Sequence, residues 1–453
     1  MKILLISPKY NAHIIAPHLG LGYLSSSLKK DGHQVLVMDG LREEIQYDPK
    51  DWDLVGITAM STYFPEAVAE AKRAKSYGLK TIIGGPHTIA IPRQSLIDAA
   101  ADYACVGEGE ITLRQLASEL PLSEVEGLLY WENGEIKQSS PKQFHKQIDD
   151  FGQPDWNSID PRSYPFAPHG MIARAFPLAP IITSRGCPYR CTYCSAPITA
   201  GKGMRYRDPV QVVDEIEMLI KNYGVREIQI EDDNFTIKRS HTVAICEEIL
   251  KRNIKVFWSL PNGVRIDRLD RELIRLMKRS GCYLMALGIE SANQRILDMV
   301  KKRLNQKIVK DMVQEVVDAG IEAWGFFMVG FPGETREEIL NTINFGLTLP
   351  LTRAQFTKTT PLPGTEMYDI WVQDYAGGEQ IDWATFNYYQ FSADWSQVTP
   401  SELANLQKWG HFRFYSRPSR FFNIIRHLRL DQYRTAFKRL FNLSKNSNLE
   451  QLQ

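Results

Sequence analysis

The sequence predicts an α/β protein with two successive sheets: an amino-terminal doubly wound parallel sheet, then a partial (β/α)6 barrel, then a helical carboxy-terminal region. Two observations support this prediction. Short apolar runs alternate with helix-sized amphipathic segments twice along the chain, which is the pattern of parallel strands joined by helices. The chain also has 453 residues, enough for two or three domains that each bury a core.

The first alternation predicts a domain over residues 1–138. Its strands are KILLIS, QVLVMD, LVGITA, KTIIGG and YACVGE. Ligands of open parallel sheets bind beyond the carboxyl ends of the strands, so the loops after these runs form the candidate binding rim. GLLYWENGEIKQ then predicts a hairpin that turns on Asn133 and Gly134. Residues 139–175 hold several prolines and little periodicity, which predicts a linker.

The second alternation predicts an open barrel over residues 176–370. Its six strands are APIITSR, REIQIED, IKVFWSL, YLMALGI, IEAWGFFMVG and RAQFTKT. Six strand-helix units are too few for a complete eightfold barrel. Asp208, Pro209 and Gly224 are placed as cap, first-turn residue and terminator of the first helix. Over residues 371–453 the pattern gives way to an aromatic-rich region and a basic tail.

Composition excludes several classes of function and compartment. There are 54 Lys and Arg against 53 Asp and Glu, a net charge of +1, so no overall field indicates a nucleic-acid partner. The opening MKILLIS is short and is followed by Pro8 and Lys9, which favours a strand over a signal peptide, and no run approaches the ~20 apolar residues of a membrane span. Six cysteines without a secretory signal predict a cytoplasmic protein. Cys246 and Cys282 are expected in the core.

Three cysteines follow the first barrel strand in SRGCPYRCTYCSAP, spaced C-x-x-x-C-x-x-C. We expect Cys187, Cys191 and Cys194 to bind an iron-sulfur cluster. Three thiolates on a four-iron cluster leave one iron free for an outside ligand. A structural zinc would require a fourth ligand, and the nearest histidines, His169 and His241, lie outside the loop. Zinc and three unrelated buried cysteines remain the alternatives.

This loop resembles the cluster motif of the radical S-adenosylmethionine superfamily, which has an aromatic residue before the last cysteine, as Tyr193 is here. The resemblance implies that the free iron binds S-adenosylmethionine and that a deoxyadenosyl radical is released. It extends through the barrel over EDDNFT at 231–236, LPNGVRID at 260–267, GIES at 288–291, FMVGFPGET at 327–335 and PLPGTEMYD at 361–369. The implied S-adenosylmethionine site comprises Tyr193, Asp232, Asp233, Asn262, Glu290, Ser291, Gly330 and Gly333.

Carboxylates at such a rim can receive the cofactor's ammonium and ribose hydroxyls, and glycines permit close approach to the adenine. For each single carboxylate, a helix cap or a surface ion pair is the structural alternative.

The amino-terminal domain lacks the G-x-G-x-x-G turn of a dinucleotide site. It resembles instead the cobalamin-binding domain of class B radical S-adenosylmethionine methyltransferases. The matching segments are PHLGLGYLSSSL at 17–28, GITAMST at 56–62, IIGGPHT at 82–88 and CVGEGE at 105–110. The implied cobalamin contacts are Leu19, Gly20, Ser61, Thr62, Gly84, Gly85, Pro86, His87, Gly107 and Glu108.

The D-x-H-x-x-G motif that supplies a histidine to cobalt in other cobalamin domains is absent. DGHQVL lacks the final glycine and precedes the second strand, so His33 is not expected to bind cobalt. His87 is suitably placed along the chain, but an ordinary loop histidine is favoured over a cobalt ligand at this position. The lower ligand of cobalt stays open.

Together the resemblances imply a cobalamin-dependent radical S-adenosylmethionine methyltransferase that methylates an unactivated carbon through a deoxyadenosyl radical and methylcobalamin. No catalytic side chain is assigned, although Tyr206, Arg265 or Asp233 is expected to orient the substrate. A low-potential flavodoxin or ferredoxin is the expected electron donor. The alternatives are a non-methylating enzyme, such as a tetrapyrrole cyclase or a ring-rearranging enzyme, and a non-catalytic cobalamin-binding protein. A methylthiotransferase would need an additional cysteine trio, whereas this domain has only Cys105.

The basic tail over residues 412–445 interleaves aromatic and aliphatic residues with nine Arg or Lys and one Asp. Such a composition suits a peripheral membrane contact or a hydrophobic, anionic substrate such as a lipid. A helical lid packed on the open barrel is the alternative.

Overall fold

The computed structural model of the protein describes residues 1–10, 15–141, 144–164, 173–376, 381–386, 391, 393–418 and 420. Most of the basic tail therefore lies outside the described residues, and its proposed membrane contact remains a prediction. No helix within the described ranges is long and apolar enough to cross a bilayer.

The amino-terminal half forms one seven-stranded sheet in the order β2-β1-β3-β4-β5-β6-β7. The strands are β1 Lys2–Ser7, β2 Gln34–Asp39, β3 Leu54–Thr58, β4 Lys80–Gly84, β5 Tyr103–Cys105, β6 Leu128–Glu132 and β7 Glu135–Gln138. The first five are parallel, and the last two add an antiparallel hairpin at one edge. Asn133 and Gly134 both have positive φ, as a tight hairpin turn requires, which confirms the predicted hairpin.

Helices cover both faces of this sheet, as predicted for a doubly wound domain. They are α1 Leu19–Lys30, α2 Phe64–Ser76, α3 Pro86–Ala90, α4 Pro92–Asp98 and α5 Gly109–Ala117. Side chains alternate along β1: Ile3 and Leu5 join the core that includes residues of α1 and α5, whereas Leu4 and Ile6 join the core of α2 and α4. The continuous apolar run of β1 therefore serves two cores at once.

The second half forms a six-stranded parallel sheet in the order β8-β11-β12-β13-β14-β15. Its strands are β8 Leu178–Ile181, β11 Glu227–Ile230, β12 Phe257–Val264, β13 Cys282–Glu290, β14 Glu322–Val329 and β15 Arg353–Lys358. A separate ribbon pairs β9 Ser184–Arg185 with β10 Arg205–Tyr206. Because β8 and β15 lie at opposite edges, the barrel is open, as predicted.

Helices follow the strands in the expected rhythm. They are α6 Ala196–Thr199, α7 Pro209–Tyr223, α8 Arg239–Lys251, α9 Arg271–Arg279, α10 Gln294–Met299, α11 Val309–Asp318, α12 Arg336–Thr348, α13 Glu366–Asp374 and α14 Pro400–Tyr415. The predicted ends of α7 are confirmed: the Asp208 side chain accepts from two backbone N–H groups, and Gly224 is left-handed.

Several of the described residues between the two sheets are packed against them. Trp156 and Ile159 are buried in a hydrophobic cluster that contains side chains of both sheets. The Trp156 indole N–H donates to Glu215 of α7 at 2.9 Å, and the Tyr164 hydroxyl donates to Asp39 of β2 at 2.7 Å. The anchoring residues are isolated along the sequence and follow no helix or strand periodicity, so the sequence pattern does not predict their packing. The exact domain boundaries remain predictions.

Candidate functional site

The cysteine loop, residues 186–195, follows the ribbon strand β9, and β10 closes its base ten residues beyond its end. Gly186 has φ +99, and a side chain there would meet the Gly203 carbonyl at 2.4 Å, so glycine is required. The loop is held by the rest of the barrel as well: Thr192 N–H donates to the Val300 carbonyl at 3.1 Å, and Met367 N–H donates to the Thr192 carbonyl at 3.0 Å.

The three thiols of the loop influence one another electrostatically. Burial raises the pKa of Cys187, Cys191 and Cys194, that of Cys194 to about 12. The Cys191 charge also raises the pKa of Cys187, and the charges of Cys191 and Cys187 raise that of Cys194. Within the described ranges, no three His, Cys, Asp or Glu side chains are arranged to hold a metal ion. Cysteines that hold an iron-sulfur cluster bind different irons and need not converge on one ion. Thiolate is the ligand form, so metal loading displaces protons from these groups.

Two adjacent aspartates after β11 have different surroundings. Asp232 is buried, and its carboxylate accepts from the Thr183 N–H, the Thr183 hydroxyl and the Ser184 hydroxyl, each at 2.6 Å. Asp233 is exposed at the rim. Partial desolvation there, together with the Asp232 charge, raises the pKa of Asp233 to about 6, and Asp233 lies within electrostatic reach of Cys187 and Cys194. Asp233 is therefore the member of the pair that remains open to a ligand.

A buried ion pair lies beside Cys191. Lys302 Nζ donates to Glu290 Oε1 at 2.8 Å, and both side chains are 9% exposed. Glu290 ends β13 after a register shift and has φ +66, which is strained for a residue other than glycine. Burial is the largest single effect and lowers the pKa of Lys302, but the charges of Glu290 and Cys191 and the hydrogen bond to Glu290 together outweigh it and leave that pKa raised. The Lys302 charge acts in turn on Cys191 and opposes the rise that burial causes in the pKa of that thiol, which remains raised.

The other residues predicted for S-adenosylmethionine lie along the same rim, several with structural partners. Tyr193 is close enough to Glu290 for that charge, after burial, to raise the pKa of its phenol. The Ser291 hydroxyl lies 3.1 Å from that of Thr342, and Asn262 donates to the Glu231 carbonyl at 2.8 Å. A side chain at Gly330 would meet Leu403 of α14 at 2.3 Å, whereas Gly333 faces open space.

Glu334 fixes the turn between these two glycines. Its Oε2 accepts from the N–H groups of Gly330 and Phe331 at 2.6 and 3.0 Å, while its buried Oε1 has no partner among the described residues. Burial raises the pKa of Glu334 to about 7.

The residues predicted for cobalamin lie where β1, β3, β4 and β5 end. They are Leu19 and Gly20 in α1, Ser61 and Thr62 in the turn Ser61–Tyr63, Gly84 at the end of β4, Gly85 to His87 after it, and Gly107 with Glu108 after β5. Gly85 has φ +95, and a side chain there would meet the Ala59 carbonyl at 2.7 Å. The glycine thus lets the β3 and β4 loops cross, which brings Ser61 and His87 together.

His87 is almost fully buried. Its Nδ1 lies 3.0 Å from the Ser61 hydroxyl, its ring stacks on Phe64, and Trp383 packs edge-on against it. Burial lowers the pKa of His87 to about 3, so its imidazole is neutral at physiological pH. Nε2 has no partner among the described residues. Nε2 of His87 is therefore available beside the rim to donate or accept a hydrogen bond.

Glu108 ties the two rims together. Its carboxylate accepts from Arg185 at 2.9 Å and from Arg205 at 2.7 Å, the two arginines paired across the ribbon below the cysteine loop. Arg185 also pairs with Glu110 at 2.8 Å. These side chains are mostly buried. The carboxylate of Glu108, which was predicted to contact cobalamin, is therefore engaged in salt bridges with arginines of the barrel domain.

The sequence prediction missed Lys302, Arg185 and Arg205. Arg185 stands two residues before Cys187, and Lys302 lies in the basic run KKR at 301–303, but neither position has a signal of its own. Each acquires its role from a partner far along the chain.

The described residues fit the implied cofactors. The cysteine loop offers three thiols that form no disulfide. In the barrel, the buried Gln229 Oε1 and Ser259 Oγ, which are register partners on β11 and β12, have no hydrogen-bond partner among the described residues. On the other rim, Ser7 Oγ and His87 Nε2 are in the same condition. Buried polar atoms are normally satisfied, so unpartnered groups inside the barrel and on the rim of the first sheet suit sites that bind polar ligands.

Comparison with known proteins agrees with this arrangement. Residues 181–346 match the Radical SAM superfamily, and residues 5–117 match the B12 binding domain. An uncharacterized methyltransferase of Pyrococcus horikoshii is 31% identical over 445 residues, covering 92% of this chain and 93% of that protein. The anaerobic magnesium-protoporphyrin IX monomethyl ester cyclase of Cereibacter sphaeroides is 27% identical over 93% of this chain and 71% of its own length.

Among solved structures, the radical S-adenosylmethionine methyltransferase TsrM from Kitasatospora setae superposes with a TM-score of 0.70 at 19% identity, covering 89% of this chain and 81% of that one. This likeness shows that the two proteins share a fold. With the matches to both domain families and the full-length relative, it confirms the predicted fold class and family. The chain therefore belongs to the cobalamin-dependent branch of the radical S-adenosylmethionine superfamily, a methyltransferase-like family whose cofactors are a 4Fe-4S cluster, S-adenosylmethionine and cobalamin.

Proposed function

We propose that this enzyme transfers a methyl group from S-adenosylmethionine to an unactivated carbon of its substrate. The observation that carries the proposal is the salt-bridge cluster of Glu108 and Glu110 with Arg185 and Arg205. It joins the base of the cysteine loop directly to the end of β5, so the rims of both sheets border one space. Two cofactors held there can act on one substrate. The full-length relative described as a methyltransferase supports the same reaction class.

In this proposal Cys187, Cys191 and Cys194 hold the cluster, and exposed Asp233 receives the ammonium group of S-adenosylmethionine. Tyr193, Asn262, Glu290, Ser291, Gly330 and Gly333 complete that site. Asp232 acts indirectly, because its carboxylate is engaged by Thr183 and Ser184. When bound, the cluster and S-adenosylmethionine would supply a radical that removes a hydrogen from the substrate. Cobalamin would supply the methyl group.

On the other rim, Leu19, Gly20, Ser61, Thr62, Gly84, Gly85, Pro86, His87 and Gly107 are proposed to contact cobalamin, with Glu108 contributing its backbone. The Nδ1 atom of the neutral His87 is directed at Ser61. Its Nε2 is therefore the atom through which His87 can donate or accept a further hydrogen bond or bind a metal. Radical S-adenosylmethionine enzymes need an electron donor, and a low-potential flavodoxin or ferredoxin of the cytoplasm is proposed here. A hydrophobic or anionic substrate remains part of the proposal.

Anaerobic reconstitution with iron, sulfide and cobalamin, followed by incubation with candidate substrates and methyl-labelled S-adenosylmethionine, tests the proposal. We expect iron-sulfur and cobalamin absorption bands, label in the product, and equal amounts of 5′-deoxyadenosine and S-adenosylhomocysteine. Cys187→Ala should lose the iron-sulfur bands, whereas Cys246→Ala, which removes a buried thiol of α8, should keep them. A product without label would refute methyl transfer.

A non-methylating reaction is the second candidate, because the cyclase of Cereibacter sphaeroides is similar over 93% of this chain. The same incubation separates the two. A cyclase-like reaction yields 5′-deoxyadenosine without S-adenosylhomocysteine and leaves the product unlabelled.

A further inference from the structure

Three arginines surround the exposed part of the cysteine loop. They are Arg190, next to Cys191; Arg268, at the end of the turn Ile266–Arg268; and Arg303, after β13 and α10. All three side chains are exposed, and none has a carboxylate partner in the described part of the chain. We call these three residues the arginine face.

Tyr189 lies at the centre of this face. Its hydroxyl accepts from Arg268 Nε at 2.7 Å, and the guanidinium of Arg265 lies 3.9 Å from its ring centroid. Arg265 is itself paired with Asp267 and reaches the Arg303 carbonyl at 3.4 Å. Exposed Pro188 adjoins Tyr189, so the face has an apolar centre with a cationic surround.

The three basic residues of the turn that carries Arg303 differ in their exposure. Lys301 and Arg303 both have positive φ, at 56° and 52°, and are exposed, whereas Lys302 between them is buried against Glu290. The neighbouring Lys301 is neutralised by Glu366 at 2.6 Å. Arg303 is left to add its charge to the surface beside the loop, and Val300, just before this turn, accepts from Thr192 of the loop.

We propose that the arginine face is the docking site of a reduced flavodoxin, which delivers the electron to the cluster held by Cys187, Cys191 and Cys194. This inference rests on the proposed function. A flavodoxin presents the apolar edge of its flavin within an acidic surface, which complements Pro188 and Tyr189 within the three arginines. Opposite charge accelerates such encounters, and the acceleration falls with ionic strength.

The test is stopped-flow reduction of the reconstituted cluster by reduced flavodoxin, without substrate, at low and high salt. We expect Arg190→Glu to slow reduction about tenfold at low salt, and the triple variant R190E/R268E/R303E to slow it further and remove the salt dependence. Dithionite, which needs no docking, should reduce every variant at the wild-type rate. The control is Arg226→Glu, an exposed arginine at the opposite end of the barrel before β11, which should behave as wild type.

Unchanged flavodoxin kinetics in Arg190→Glu and in the triple variant would overturn the docking site while leaving the proposed function intact. An equal loss in Arg226→Glu, or rapid reduction by ferredoxin but not by flavodoxin, would also overturn it. A wild-type chain that assembles no cluster would instead remove the proposed function itself.

Discussion

Lys302 and Glu290 place a full charge pair where water is nearly excluded, within electrostatic reach of Cys191. Removing one member of a buried pair leaves the other without compensation. We expect Lys302→Met to lower the stability of the apo chain by about 3 kcal/mol. Lys301→Met, which removes the adjacent surface pair with Glu366, should cost under about 1 kcal/mol. Urea unfolding followed by circular dichroism measures both. Equal midpoints for the two variants would contradict this account.

Glu334 predicts a dependence of stability on pH. Its pKa is raised by burial from 4.5 to about 7, so the folded chain retains a proton that the unfolded chain has lost. The stabilisation is present below pH 4.5 and is lost as pH rises towards 7, by about 3 kcal/mol at most. Glu334→Gln should lessen the fall in unfolding midpoint between pH 5 and pH 8. Glu337→Gln, an exposed carboxylate of α12, should leave that fall unchanged.

At the scale of elements, the end of β8 depends on Asp232, and the ligand rim depends on Asp233. Asp232→Ala leaves three donors of residues 183 and 184 without their acceptor and should lower stability by about 3 kcal/mol, with less iron bound after reconstitution. Asp233→Asn should keep stability and iron, but weaken S-adenosylmethionine binding about tenfold. Calorimetry and iron analysis distinguish the two variants. Similar behaviour of both would show that the division of roles is wrong.

Elements with a local signal could be predicted from the sequence. The hairpin at Asn133-Gly134, the ends of α7 and the six parallel barrel strands all follow from period, turn chemistry and capping. The different roles of Asp232 and Asp233 could not be predicted, because both stand at the same strand end. What separates them is contact with Thr183, 49 residues earlier. The packing of Trp156, in the segment predicted as a linker, could not be predicted for the same reason, since its indole is anchored by a partner 59 residues away.

At the scale of the whole molecule, the two halves share one hydrophobic cluster and the salt bridges of Glu108. Glu108→Gln removes the charge that compensates Arg185 and Arg205. We expect increased hydrogen exchange over residues 184–206 and a lower unfolding midpoint. Glu124→Gln, an exposed carboxylate of the same domain, should leave both unchanged. Exchange in residues 184–206 that matches the wild type would argue against a shared interface at this point.

The two-stranded ribbon beneath the cysteine loop has a consequence for damage and repair. Arg185, just before the loop, and Arg205, ten residues after its end, hold the ribbon against the cobalamin-binding half through contacts that involve no iron. Destruction of the cluster by oxygen should therefore leave the ribbon beneath the cysteine loop in place. The inactivated enzyme should regain its metal from an iron-sulfur assembly system without refolding. Inactivation by air should therefore be reversible.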